Sequence, residues 1–150
     1  MRRRTPRIRR RGASMVEAAI ILPVFLTLIL GMLDLSMGVF RHHVVSQAAR
    51  QGVRRAIVHG KMAPPKMTAW GTAAYTGNGN ASDEIATAIK PSLTGLDLAQ
   101  TTIQVQWIDG SNDVESRVRV TVSTTWTPIM LALLGGQKTL SASSTMPIAH

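Results

Sequence analysis

The stretch that decides the fold is AAIILPVFLTLILGML, which covers residues 18–33 and contains no charged residue. Asp34 interrupts it, and the apolar character then continues to Phe40. A helix needs about 20 predominantly apolar residues to cross the ~30 Å hydrocarbon core of a bilayer. A chain of 150 residues is too small to bury so long and uniformly apolar a helix. Residues 18–40 are therefore predicted to be a transmembrane helix.

A basic tail precedes this segment and predicts its orientation. Outside residues 1–12 the chain has 10 basic and 8 acidic side chains, so most of the net charge of +9 belongs to the tail. Basic residues favour the cytoplasmic side, which predicts a cytoplasmic N-terminus, a cytoplasmic (inner) membrane location and an extracytoplasmic C-terminal part. The tail is suited to anionic lipid headgroups and gives no support for nucleic-acid binding. Its arginines are Arg2, Arg3, Arg4, Arg7, Arg9, Arg10 and Arg11.

The junction between tail and helix reads RRGASMVE over residues 10–17. A glycine closes the basic leader, and a glutamate stands five residues later at the start of the apolar stretch. This arrangement resembles the processing site of type IV prepilins, in which a membrane aspartyl peptidase cuts after the glycine. The resemblance implies that residues 1–12 are a leader, that Gly12 is its last residue, and that Ala13 becomes the new N-terminus.

Two further segments narrow the resemblance. Residues 31–36 read GMLDLS and residues 48–56 read AARQGVRRA, and Pro23 lies within LPV. Together with the junction they resemble the TadE-like family. The resemblance implies a minor pseudopilin that assists assembly of a tight-adherence (Tad-type) pilus for adhesion or secretion. Its implied partners are the lipid bilayer, the prepilin peptidase, other pilins or pseudopilins, and the assembly platform. One departure is Ala18, where these proteins often carry an aromatic residue.

Four residues of the helix are candidates for a role in helix assembly: Glu17, Pro23, Gly31 and Asp34. A carboxylate at Glu17 is expensive in lipid unless it meets a cation such as the α-ammonium of a neighbouring processed subunit; the plainer interpretation is a helix cap. Pro23 is expected to kink the helix, and Gly31 permits close helix approach. Asp34 is either a headgroup-level acid near Arg41 and water or a partner for a basic residue of another subunit.

Beyond Phe40 an amphipathic pattern predicts that the helix continues to about His59, so that residues 13–59 form one helix. Residues 61–81 are predicted to be a loop. A short helix is expected over 84–90, with Ser82 as N-cap and Pro91 as its stop. Period-two alternation predicts strands over 101–108 and 117–122, a possible continuation over 123–127, and a last strand over 139–148. The predicted fold is α+β, with a head over 60–150 built on an antiparallel sheet of three or four strands and one or two short helices.

No catalytic constellation, cofactor site or metal site is predicted. Cysteine is absent, and the adjacent His42 and His43 point to different helical faces, where they cannot chelate one metal ion. Asp109 and Asp113 flank a predicted turn, where acids are common. A protein other than an enzyme is therefore expected. The alternative function is a signal-anchored extracytoplasmic binding module with no role in a pilus.

Overall fold

A computed structural model describes residues 10–132 and 136–149. The fold is α+β, as predicted: a long N-terminal helix leads into a head with a four-stranded antiparallel sheet and short helices. The helices are α1 (Arg10–Ala56), α2 (Glu84–Ile89) and α3 (Ile129–Ala132). The strands are β1 (Tyr75–Asn78), β2 (Thr101–Trp107), β3 (Arg117–Trp126) and β4 (Lys138–Pro147). Of the leader arginines, Arg2, Arg3, Arg4, Arg7 and Arg9 lie outside the described residues.

Helix α1 has two halves with different surroundings. Its most apolar stretch is uncovered by the rest of the protein and is long enough to cross a membrane. Farther along, one face of the helix enters the head and is buried there. The helix begins at Arg10, before the predicted start at residue 13, and ends at Ala56 rather than His59. Single turns follow, in which the Ile57 and His59 amides donate to Val53 and Ala56.

The sheet is a meander in which each strand pairs with the next one in sequence. The predicted strand 117–122 and its continuation 123–127 form the single strand β3, because β4 pairs with its whole length. Alternation places Val118, Val120 and Val122 on the buried face, while the opposite face is rich in threonine, serine and arginine. One side of the sheet therefore packs on α1 and the other remains open.

Strand β1 corrects the prediction of a continuous loop over 61–81. Tyr75–Asn78 pairs antiparallel with β2, with Tyr75 opposite Val105. The glycine at position 77 weakens the alternation that would identify a strand. Gly77 lies directly beneath the Tyr75 ring, and a Cβ there would collide with the phenol oxygen.

The start and end of helix α2 also differ from the prediction. Asp83, not Ser82, is the N-cap residue, and its backbone carbonyl accepts from the Thr87 amide. The Asp83 carboxylate instead accepts the Tyr75 hydroxyl at 3.0 Å. Pro91 does not stop the helical path, because a 3₁₀ turn over Lys90–Leu93 continues it and places proline where its missing N–H costs nothing. A second 3₁₀ turn, Leu98–Gln100, leads into β2.

The core lies between α1 and the sheet. The helix packs mainly on β3 and β4, with α2 and the first 3₁₀ turn along its side. Its buried face is made of small side chains, which bring the helix close to the valines of β3. The closest approach is at Gly52, where a Cβ would lie 2.9 Å from Val120 Cγ1 and 3.2 Å from Ile89 Cδ1. The buried residues of the helix are Val45, Ala48, Ala49, Val53 and Ala56.

Gly52→Leu is expected to destabilise the head by roughly 1–3 kcal/mol, because the new side chain has to displace Val120 or Ile89 in a packed core. The measurement is thermal unfolding in detergent micelles, followed by tryptophan fluorescence. Gly31→Leu is the matched control on the same helix, since a Cβ at Gly31 meets nothing within 4 Å. Equal melting temperatures for the two variants would contradict the close approach at Gly52.

Burial raises the pKa of the Tyr75 hydroxyl to about 12, and its hydrogen bond to the Asp83 carboxylate acts in the same direction. The phenol is thus more easily ionised in the unfolded chain. Its contribution to stability is complete below about pH 10 and is lost as the pH rises through the folded value. Tyr75 is the only tyrosine of the chain, so tyrosinate absorbance reports it alone.

We expect an absorbance midpoint near pH 12 in the folded protein. Asp83→Asn should lower it only in part, because the effect of burial persists. Asp113→Asn, which removes a carboxylate that faces Lys61, should leave the midpoint unchanged. A midpoint at the ordinary tyrosine value in the unmodified protein would show that the ring is not held as described.

Candidate functional site

The predicted processing site lies in the first turns of α1. Gly12 and Ala13 are exposed, and a Cβ at Gly12 would meet nothing within 4 Å. Glu17 is also exposed, and among the described residues its carboxylate has no hydrogen-bond or ion-pair partner. The bond between Gly12 and Ala13 lies within the helical residues of α1.

Two hydroxyl groups in the membrane-type part of α1 are hydrogen-bonded to carbonyls of the same helix. Helical structure continues through Pro23, whose carbonyl accepts the Thr27 hydroxyl at 2.8 Å. The Ser36 hydroxyl likewise donates to the Met32 carbonyl at 2.8 Å. Such bonds remove the cost of carrying hydroxyl groups into lipid. One apolar side of the helix forms a shallow hollow of about 290 Å³ lined by Ile20, Ile21, Val24, Phe25 and Leu28.

Asp34 has a partner that neither sequence interpretation anticipated. Its two carboxylate oxygens accept the backbone amides of Ile129 and Met130, at 2.8 and 2.7 Å. These amides open α3, so Asp34 caps the N-terminus of a helix that is 95 positions away in sequence. A carboxylate is well placed there, because the first amides of a helix lack intrahelical partners and carry partial positive charge.

Arg41 also differs from the prediction, since it contacts an aromatic ring rather than Asp34. Its guanidinium carbon lies 5.5 Å from the centre of the Trp126 ring. The same ring packs on Gly38, where a Cβ would lie 3.2 Å from Trp126 Cζ3. On another side of the helix, Phe40 lies against Gly95, which adopts a positive φ of 85°. These contacts and the Asp34 cap form a collar around α1, defined as Asp34, Gly38, Phe40 and Arg41 with their partners.

Asn112 is a buried junction that the sequence had indicated only as part of a turn. Its amide nitrogen donates to the backbone carbonyls of His59 and Trp70. Its side-chain oxygen accepts the Trp107 indole N–H at 3.1 Å. The His59 and Trp70 rings stack with centroids 4.4 Å apart. Asn112 thus fastens the segment after α1 to the β2–β3 turn. No sequence signal distinguishes such an asparagine from an ordinary turn residue.

Two acids of this turn, Asp109 and Asp113, are engaged in structural pairs. Asp109 accepts the Arg117 backbone amide at 2.7 Å and its guanidinium at 2.8 Å. The hydrogen bonds from Arg117 lower the pKa of Asp109 to about 2. Asp113 lies 3.1 Å from the Lys61 ammonium. Within residues 10–132 and 136–149, no group of three or more histidine or acidic side chains is arranged to hold a metal ion.

Comparison with known proteins places part of the chain in relation to a known family. The family model described as TadE-like protein matches residues 12–54, which confirms the resemblance stated from the sequence. The matched region starts at the predicted last leader residue and ends within the part of α1 that is buried in the head. No curated protein and no solved structure matches the chain. The family match ends at residue 54 and does not extend over the rest of the head.

Asp34→Leu is expected to open α3, because it leaves the Ile129 and Met130 amides without an acceptor. A hydrogen bond to a charged group contributes about 1.5–3 kcal/mol, so amide hydrogen exchange at these two positions should accelerate about tenfold or more when the carboxylate is removed. The measurement is hydrogen–deuterium exchange of the full chain in detergent. Asp34→Asn, which keeps one side-chain oxygen, should give a smaller acceleration.

The control for this experiment is Glu17→Leu, which removes an exposed acid of the same helix. It should leave exchange at Ile129 and Met130 unchanged. If Asp34→Leu behaves like Glu17→Leu, the cap does not hold α3 in place.

Proposed function

We propose that this protein is a TadE-like minor pseudopilin. It is a single-pass protein of the cytoplasmic membrane that is processed by a prepilin peptidase and acts in assembly of a Tad-type pilus for adhesion or secretion. The observation that carries the proposal is the family match over residues 12–54, which covers the membrane-type half of α1 and the start of its packing into the head. The proposal assigns the protein no catalytic activity and no cofactor.

Orientation follows from charge on the two sides of the apolar segment. All seven arginines of the leader precede it, with no acid among them. The leader is therefore proposed to stay in the cytoplasm, where positive residues near a transmembrane segment are favoured. The head then lies on the other side, and its open sheet face and exposed loops are available to pilus components.

Processing is proposed to occur between Gly12 and Ala13. Both residues at this bond are exposed, and local unwinding of the helix gives a peptidase access to an extended backbone. Glycine at this position allows that backbone to approach the peptidase closely. Cleavage removes all seven leader arginines and leaves an α-ammonium at Ala13, four residues before Glu17.

Assembly is proposed to proceed by lateral packing of the exposed half of α1. The Glu17 carboxylate, for which the described residues supply no partner, is suited to the new ammonium of a neighbouring subunit, because an ion pair relieves the cost of a charge at the edge of the lipid. The open space at Gly31 and the apolar hollow beside Pro23 give a neighbouring helix room to approach. Asp34 is proposed to act indirectly, by holding α3 against the helix, since both its oxygens are occupied within the subunit.

The test is the intact mass and N-terminal sequence of the protein recovered from membranes of cells that express the pilus system. We expect Ala13 at the N-terminus. Gly12→Leu should retain the leader, because a branched side chain blocks the close approach of peptidase to backbone. Gly31→Leu, a glycine substitution beyond the cleavage site, should be processed normally.

An intact leader in the unmodified protein under these conditions would contradict the proposal. It would favour a signal-anchored binding module, which has no reason to be cut on the cytoplasmic side of its anchor. Loss of processing in both glycine variants would point to failed membrane insertion instead.

A further inference from the structure

We infer that α3 (Ile129–Ala132) is a second membrane contact and enters the lipid beside α1, at the end of the membrane-type segment nearer the head. The inference rests on the proposal that α1 spans a membrane. It goes beyond that proposal, because a single-pass anchor needs no other part of the chain in the bilayer. The occupant of the exposed α3 surface is the lipid bilayer itself.

The depth of α3 follows from its attachment to α1. Asp34 lies seven residues before Arg41, which is about 10 Å toward the membrane at 1.5 Å per residue. It lies about 25 Å from Glu17 on the same scale, within the ~30 Å of a hydrocarbon core. Its neighbours Leu33 and Leu35 are apolar and are left 54% and 71% exposed by the rest of the described chain, as lipid-facing residues are. The amides that Asp34 binds fix the start of α3 at this depth.

The composition of α3 suits lipid. Ile129 is 58% exposed and Met130 37% exposed, and Thr127–Ala132 contains no charged residue. Pro128 is buried, so this end of the connection is seated on the protein while Ile129 and Met130 face outward. The exposed apolar surface is continuous with the uncovered half of α1, because Asp34 joins the two directly.

Three backbone amides of α3 find acceptors inside the protein, which lowers the cost of placing them in a nonaqueous environment. The Ile129 and Met130 amides donate to Asp34, and the Ala132 amide donates to the Pro128 carbonyl at 2.7 Å. Pro128 itself has no N–H to satisfy. The Asp34 charge is in turn stabilised by two short hydrogen bonds from a helix N-terminus.

Residues on both sides of α3 match the level of lipid headgroups. Trp126 precedes it and stacks with Arg41, and the exposed Lys138 opens β4 after it. Tryptophan and basic side chains are the usual anchors at a membrane interface, where the indole ring contacts both lipid and water and a cation meets phosphate. Trp126 and Lys138, which face each other in the β3–β4 ladder, are therefore two interfacial anchors next to α3.

The test uses single cysteines, which the natural chain lacks. Full-length Ile129→Cys is labelled with a nitroxide and reconstituted into phosphatidylethanolamine–phosphatidylglycerol vesicles. Electron paramagnetic resonance then compares its collisions with oxygen, which concentrates in lipid, and with a water-soluble nickel chelate. Leu28→Cys is the membrane control, and Val114→Cys is the water control because Val114 is an equally aliphatic side chain, 45% exposed, in the β2–β3 turn.

The expected result is a ratio of oxygen to nickel collisions at position 129 that approaches the ratio at position 28 and exceeds that at position 114. A ratio at 129 equal to that at 114, with position 28 in lipid, overturns the membrane contact of α3 and leaves the proposed function intact. Nickel access at position 28 overturns the membrane anchor and both proposals.

A third outcome separates lipid from a second copy of the chain. If collisions with both reagents are low at position 129, and the spectrum sharpens when labelled protein is diluted with unlabelled protein, another subunit covers α3. That result also overturns the inference, because it makes protein rather than lipid the occupant.

Discussion

The structure depends on the packing of one face of α1 against the valines of β3. A helix in lipid exposes apolar side chains on all sides, whereas a helix in a head domain buries its apolar side chains against the rest of the domain. In this protein the two halves of a single helix have these two patterns. Its uncovered half is uniformly apolar, whereas its last turns carry small residues on one side and arginines on the other. The change occurs within the collar, between Asp34 and Arg41.

The collar explains how the head is held at a fixed position on α1. Three contacts from different parts of the chain converge on little more than two helical turns: the α3 amides on Asp34, Trp126 on Gly38 and Arg41, and the Gly95 turn on Phe40. Each contact depends on a property of the helix residue: the charge of Asp34, the missing side chain of Gly38 and the aromatic ring of Phe40. The helix itself continues without a break from its membrane-type half into the head.

Much of this architecture was predictable from the sequence, because its signals are local. The charge-free run 18–33 predicted the long helix, and alternation at Val118, Val120 and Val122 predicted β3 and the hairpin. What escaped prediction depends on residues far apart in the chain. In the sequence Asp34 is an isolated acid, because its partner Ile129 is far away in the chain. Asn112 is an ordinary turn residue in the sequence, because its acceptors at His59 and Trp70 are also far away in the chain. Strand β1 was missed because Gly77 interrupts its pattern, and the end of α2 was missed because a 3₁₀ turn accommodates Pro91.

The pairing of α1 with β3 and β4 has a consequence for the order in which the molecule becomes complete. The face of α1 that forms the inner layer of the head precedes β3 and β4, the strands that cover it, by a long stretch of chain. In the proposed orientation these two strands have to cross the membrane before they can pack on α1. Until they do, the face of α1 beyond Arg41 has no apolar surface of the head to pack against. In this proposal, completion of the head is therefore coupled to the passage of β3 and β4 across the membrane.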